Sequence, residues 1–400
     1  MSTGTVAPVV SKHPAIDEDW KARVGAVAAS AAAAAASVDQ EARFPEEAIG
    51  TAREQRIFGA CVPKQYGGLG ASITDVCELV EAVGRECASS AAVLAMHFSQ
   101  ELCLTRHIDL ERDSDLAGFT KQVAQHQMLL ASSTTEKGIG GDTRTSSCAV
   151  TRTHEGGIEL RKSAPVISYG RFADAVLVTA RRSSEAPPSE QVLVVVPRAH
   201  LQLERTSGWD ALGLRGTMSE GFELEASVPE SYILPLDFAA ISAQSMLPAS
   251  HTLWASSWLG LAAGAGDVAR RFVQSKARLD PGRTPPAALR LAELEVHLQR
   301  MTDSVRAGVN RFESAGQDVE MLSSMAFAIA MNTLKVSASE LVRLIVGDAM
   351  VIVGIAAYSN QGPLSLARAL RDSIGPSLQV NNDRILHSTA SLQLVSRGTR

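Results

Sequence analysis

Four hundred residues, 45% of them hydrophobic, supply enough apolar side chains for two or three cores. A formal charge of −5 and a pI near 6.0, with the arginines scattered, leave no basic stripe and exclude nucleic acid as a partner. Five cysteines (Cys61, Cys77, Cys87, Cys103 and Cys148) without CxxC spacing, and nine histidines without helical ligand spacing, exclude a disulfide framework and zinc.

The N-terminal stretch MSTGTVAPVVSKHPAIDEDWK has no basic region followed by an apolar core, so no secretory leader is expected. The alanine run at 31–36 is too short and too weakly apolar to span a bilayer and is read as part of a first helix. No segment reaches the roughly 18 uninterrupted apolar residues that a spanning helix needs, and the expected location is a reducing cytoplasm. From Asp17 to about Leu130 the chain reads as helices, with Val76, Leu79, Val80 and Val83 at helical spacing and Gly84 and a GGLG turn as punctuation.

The period then changes. AVLVTA at 175–180, QVLVVV at 191–196, LQLE at 201–204 and FELEA at 222–226 read as strands, several with alternating faces. HEGG at 154–157 predicts a hairpin turn, and RSSEAPPS at 182–189 a polar surface loop. From Ser242 helix returns, with Leu291, Leu294, Leu298, Met301 and Val305 on one apolar face. No internal repeat is visible. The expected class is α+β, mostly α, in three units: a helical one at 1–130, a β one at 131–235 and a helical one at 236–400.

Within this order the segment TTEKGIGGD at 134–142 stands out, because glycines crowded behind an acidic residue make a backbone loop that approaches a flat or charged ligand closely. Three further blocks accompany it: VPKQYGGLG at 62–70, VISYGRFAD at 166–174 and LGLRGTMSEGFELEASV at 212–228, which runs on into Pro229 and Glu230. Their order and spacing resemble the acyl-CoA dehydrogenase superfamily of flavoproteins, from about Ala42 to the C-terminus.

The resemblance implies an N-terminal helical domain, a central β-barrel and a C-terminal four-helix bundle. It also implies a flavin between barrel and bundle, FAD in the family and FMN as the alternative here. Subunits pair in the family so that the adenine half reaches a neighbour, which implies a homodimer or homotetramer. Thr134 and Thr135 fall where the pyrimidine edge of the isoalloxazine is contacted, Ser168 at its N5 side, and Gly140 and Gly141 where a thin loop lets substrate lie on the ring. Arg215 is expected to fix the barrel. On the adenine side RLDPG at 278–282 keeps Arg278 and its glycine but has proline for an aromatic residue, and VIVGI at 351–355 keeps only Gly354.

Dehydrogenation of an acyl thioester, on coenzyme A or a carrier protein, needs a carboxylate to remove the α-proton while the flavin takes the β-hydride. The family places that glutamate shortly after an Arg-Asp pair; here Arg371 and Asp372 are present, and a gapless reading puts Val380 at the glutamate position. A second family position, on the first bundle helix, falls in ASSWLG at 255–260, again without a carboxylate. Asp383 is the nearest acid, about one helical turn from Val380, and is the candidate base, with a surface ion pair to Arg384 as the competing reading.

Three readings stay open. The first is a thioester dehydrogenase with its base in an unexpected place. The second is a flavin-dependent monooxygenase resembling dibenzothiophene monooxygenase, in which reduced flavin captures oxygen; His387 in ILHST is its candidate histidine, and His97 in AMHFSQ is expected on an active-site helix in that branch. The third is a non-catalytic partner of an active paralogue, against which the retained Thr135 and Ser168 argue.

Overall fold

A computed structural model describes residues 19–112, 114–138, 143–154 and 156–395. Five helices come first: α1 (Trp20–Gln40), α2 (Glu46–Glu54), α3 (Ile73–Glu86), α4 (Ala88–His107) and α5 (Asp115–His126). The alanine run lies in α1, where Ala31, Ala34, Ala35 and Val38 face inward. Ser72 and Asp75 close a capping box at the start of α3, each accepting the other's backbone N–H. Helix α4 is buried along nearly its whole length, so it forms the middle of the structure.

Seven strands come next: β1 (Leu130–Ser133), β2 (Thr151–Arg152), β3 (Gly157–Ile167), β4 (Ala175–Arg181), β5 (Gln191–Pro197), β6 (Leu201–Ser207) and β7 (Glu220–Pro229). The expected hairpin turn joins β2 to β3, with the Thr153 amide donating to the Gly157 carbonyl at 2.9 Å. Among the described residues the expected closed barrel is not formed. The strands make two sheets, ordered β1-β4-β5 and β2-β3-β7-β6.

Burial explains the division. β4 and β5 are apolar on both faces. Val176, Val178, Val192 and Val194 join the main core, while Ala175, Leu177, Leu193 and Val195 pack with α5 and the first residues after β7. β3 and β7 alternate buried and exposed residues, so their sheet keeps one wet face. A buried lysine joins the sheets where a backbone ladder does not: Lys162 Nζ on β3 donates to the Ser133 carbonyl (3.0 Å), the Thr179 carbonyl (2.7 Å) and Thr179 Oγ1 (2.9 Å).

The rest is helical: α6 (Phe238–Ile241), a π-helical turn (Ser242–Met246), α7 (Leu247–Leu279), α8 (Ala288–Ala315), α9 (Val319–Leu322), α10 (Met325–Val353), α11 (Ile355–Tyr358), α12 (Ala367–Leu378) and α13 (Asn382–Val395). On α8, Leu294, Met301 and Val305 are buried as their spacing predicts. Helix α7 crosses α3 at close range, because a Cβ at Gly84 would overlap the Ser257 carbonyl and one at Gly260 the Glu81 carbonyl. That contact fixes the rotation of α7. Its 255–260 stretch faces α3, and the turns before it face a cavity. Among the described residues no helix is long and apolar enough to cross a membrane.

Candidate active site

The cavity, about 770 Å³, is lined by the ends of β1 and β3, the 209–219 segment, α4, the start of α7 and the α12–α13 connection. One wall is a row of hydroxyls. Thr134 and Thr135 come directly after β1, and Thr135 Oγ1 reaches the Val166 carbonyl at 3.4 Å. Ser168 comes directly after β3 and shares a hydrogen with Ser219 (2.8 Å), which in turn meets Thr217 (2.7 Å); Thr217 Oγ1 is also 2.9 Å from the Leu214 carbonyl.

Ser168 is aimed by its neighbour. The β3–β7 register shifts between Ala164 and Ile167, and Tyr169 then takes a left-handed φ of 42° while its buried hydroxyl donates to the Leu130 carbonyl at 2.9 Å. Gly140 and Gly141 lie outside the described residues. Glu136, in the same loop, turns inward and accepts the Ser147 and Cys148 amides at 3.0 and 2.7 Å. Burial raises its carboxyl, but hydrogen bonds from Ser147 and Ser146 outweigh this and hold it below the usual carboxylate range.

The opposite wall comes from α12 and its connection to α13. Arg371 lines the cavity, pairs with Asp39 on α1 through both nitrogens and donates to the Leu212 carbonyl at 3.0 Å. Asp372 is buried behind it and accepts the Leu214 amide at 2.6 Å; burial pushes its carboxyl up to about 6. Arg215 donates to the Asp39 and Ala211 carbonyls, both at 2.9 Å, and stays out of the cavity.

Val380 does line the cavity, at the position where the family resemblance leads one to look for a base. It has φ 50°, and its carbonyl accepts from Lys335 Nζ at 2.7 Å. The candidate acids and histidines fall elsewhere. Asp383 and His387 are exposed on α13 and neither lines the cavity, which removes the geometric ground for Asp383 as a base and for His387 as an active-site histidine. His97 is fully buried in α4, with Nδ1 accepting the Leu130 amide at 3.1 Å and Nε2 3.4 Å from Glu101, and it too is outside the lining. Arg278 is exposed in the last turn of α7, and Gly354 is exposed where it ends α10 with φ 76°; neither borders the cavity.

Sequence reasoning missed α7. The positions that line the cavity are Leu247, Ser250, His251 and Trp254, spaced i, i+3, i+4 and i+7, one turn before the 255–260 stretch. That spacing is the signal the sequence carries. His251 Nδ1 lies 3.0 Å from the Met331 carbonyl on α10, so Nδ1 carries the hydrogen and Nε2 the lone pair. Burial drives this imidazole down to about 4, leaving it neutral at pH 7. Across from it, Ser99 and Gln100 come from α4, and Ser250 Oγ donates to Ser99 Oγ at 3.2 Å. Among the described residues, the lining holds no carboxylate.

The acyl-CoA dehydrogenase N-terminal domain family matches residues 17–108, and the acyl-CoA dehydrogenase C-terminal domain family matches residues 241–376. The chain is 26% identical over 349 residues to the amino sugar nitrososynthase DnmZ of Streptomyces peucetius, covering 84% of this chain and 82% of that one. FMN-bound TdsC from Paenibacillus sp. A11-2, a dibenzothiophene monooxygenase, superposes with a TM-score of 0.81 at 19% identity over 96% of this chain and 98% of its own. Butyryl-CoA dehydrogenase from Megasphaera elsdenii superposes with a TM-score of 0.76 at 20% identity, over 96% and 100%.

Proposed function

Because this chain belongs to the acyl-CoA dehydrogenase family, we propose that it is a flavin-dependent monooxygenase that oxygenates a heteroatom of a small molecule held in the cavity. The carrying observation is the wall itself: no carboxylate among the described lining residues stands ready to take an α-proton, which thioester dehydrogenation requires and oxygenation does not. The similarity to a nitrososynthase over most of both chains supports the same reading.

A bound reduced flavin would supply two electrons and two protons to dioxygen, so that one oxygen atom would enter the substrate and the other leave as water. In this reading Thr134, Thr135 and Ser168 hold the polar edge of the ring, with Ser219 and Thr217 ordering the Ser168 hydroxyl. Gly140 and Gly141 keep their proposed place beside it. Met96, Phe238, Met246 and Leu247 keep water from the reacting face. The flavin is FAD or FMN; Arg278 and Gly354 serve an adenine half only where a partner subunit of a homodimer or homotetramer covers them, and FMN makes no such demand.

A second reading, α,β-dehydrogenation of an acyl thioester, is favoured by the apolar side chains of the lining and needs a base other than Val380. Adding acyl-CoA thioesters to the flavin-loaded protein without oxygen separates the two. The proposal expects the flavin to stay yellow; bleaching would move the assignment to the dehydrogenase.

A further inference from the structure

The row of hydroxyls on the cavity wall has a direction. Thr217 Oγ1 lies 2.9 Å from the Leu214 carbonyl, and a carbonyl only accepts, so the single hydroxyl hydrogen of Thr217 is spent there. The Ser219–Thr217 contact at 2.7 Å then takes its hydrogen from Ser219, and the Ser168–Ser219 contact at 2.8 Å takes its hydrogen from Ser168. The anchor is itself held: the Leu214 carbonyl also accepts Trp209 Nε1 at 3.1 Å, and the Leu214 amide donates to Asp372 at 2.6 Å. Ser168, half-buried where it borders the cavity, therefore presents only lone pairs to an occupant. Reversing the row would free a hydrogen at Ser168 but give up the Thr217–Leu214 bond, a cost of about one net hydrogen bond.

We propose that Thr217 and Ser219 are positioning residues that fix Ser168 as a hydrogen-bond acceptor, so that the wall holds reduced flavin more tightly than oxidised flavin. This rests on the flavin lying with its N5 edge at Ser168, as in the function proposed above, and it holds for oxygenation and dehydrogenation alike. Ring nitrogen N5 carries a hydrogen when the flavin is reduced and offers a lone pair when it is oxidised, and hydrogen bonds at that atom tune the cofactor. The reduced ring is received by the row as it stands, because its N–H donates to Ser168 Oγ. The oxidised ring is received only after the row reverses, and the lost Thr217–Leu214 bond is subtracted from its affinity. A ring edge whose hydrogen is present in both states would show no such difference.

Ser219→Ala tests the direction. Among the described residues Ser219 Oγ bonds only within the row, so its loss leaves Thr217 on Leu214 and frees the Ser168 hydrogen for the cavity. Fluorescence titration with oxidised FMN or FAD, whichever the wild type retains, should find the variant binding about fivefold tighter than wild type. The same flavin in its reduced form, titrated without oxygen, should bind both proteins equally. The midpoint potential of the bound flavin then falls by about 20 mV, at about 29.6 mV per tenfold for a two-electron couple. Thr217→Val, which removes the anchor, should lower the potential likewise, and Thr217→Ser, which keeps it, should not. Damage to the wall would weaken both states together, so a gain in oxidised-flavin binding is a sign that a merely structural role does not give. Weaker or unchanged oxidised binding in Ser219→Ala, or a potential that does not fall, would overturn the direction. A wild type that binds neither FMN nor FAD would overturn it together with the cofactor wall. The expected shift in a protein whose flavin is bleached by acyl-CoA thioesters would leave the direction standing and dismiss the monooxygenase reading.

Discussion

The Leu214 amide donates to Asp372 Oδ1 across 2.6 Å, and this one bond fastens the 212–214 wall of the cavity to α12. It is reinforced by fit, since a side chain at Gly213 would overlap the Arg371 carbonyl. Because Asp372 is buried, the carboxylate that accepts this bond is held at a cost.

Asp372 therefore carries a stability signature of definite sign. Its carboxyl is raised from 3.8 to about 6 in the folded state, so the folded protein binds the proton more tightly. The contribution is complete below pH 3.8 and is lost as pH rises through 6. Asp372→Asn keeps an acceptor for Leu214 and never ionises. Urea unfolding at pH 7.5 should find it about 1–3 kcal/mol more stable than wild type, and Asp372→Ala, which leaves the amide unpaired, less stable by about 1–3 kcal/mol. An Asn variant weaker than wild type at that pH would show that the ionised form is favoured after all.

His251 has the opposite slope. Its imidazole is lowered from 6.5 to about 4, so its contribution is present above pH 6.5 and is lost as pH falls through 4. His107 on α4, also lowered to about 4 by burial, adds a share that stays in every His251 variant. In denaturant midpoints taken at pH 7.5 and 4, wild type should lose about 2–3 kcal/mol more than His251→Phe. Equal losses in the two proteins would place the acid lability elsewhere.

Ser168→Val tests the cofactor wall. The change removes the hydroxyl that meets Ser219 and leaves the backbone of β3 untouched. We expect flavin retention on gel filtration to fall about tenfold, the scale of one or two lost hydrogen bonds to a buried ligand. The melting temperature of the flavin-free protein should move little. Full retention and unchanged flavin reduction would remove Ser168 from the site.

Val380 carries a left-handed φ of 50°, a conformation that a β-branched residue adopts only under constraint. Val380→Gly relieves it and should raise stability by about 1 kcal/mol, despite the greater freedom glycine has when unfolded. Differential scanning calorimetry gives the answer, and a lowered midpoint would mean that the side chain's contacts outweigh its strain.

Much of this architecture is legible in the chain. Continuous apolar runs mark β4 and β5 because both of their faces are covered, and alternation marks β3 and β7 because one face is wet. Motif order picks out Thr134, Thr135 and Ser168, and they do share one wall. The features that escape depend on contacts distant in sequence. Whether two sheets close into a barrel is decided by pairing between strands far apart, and here the buried Lys162 stands between them. Asp383 and His387 are attractive by sequence distance from Arg371, but the face of α13 that meets solvent is set by tertiary packing. The spacing of Leu247, Ser250, His251 and Trp254 marks one face of α7, but the direction that face turns is set by glycine contacts with α3 that lie far off in sequence.

Oxygenation and dehydrogenation part most cleanly when the flavin-loaded wild type is reduced, mixed with aniline under isotopically labelled dioxygen, and its products are weighed. Monooxygenase chemistry predicts phenylhydroxylamine, or its further oxidation products, carrying one labelled oxygen atom per hydroxylation, with water as the other product. Complete release of the oxygen as hydrogen peroxide with aniline unchanged, together with bleaching by acyl-CoA thioesters in the absence of oxygen, would contradict it and return the protein to the dehydrogenases.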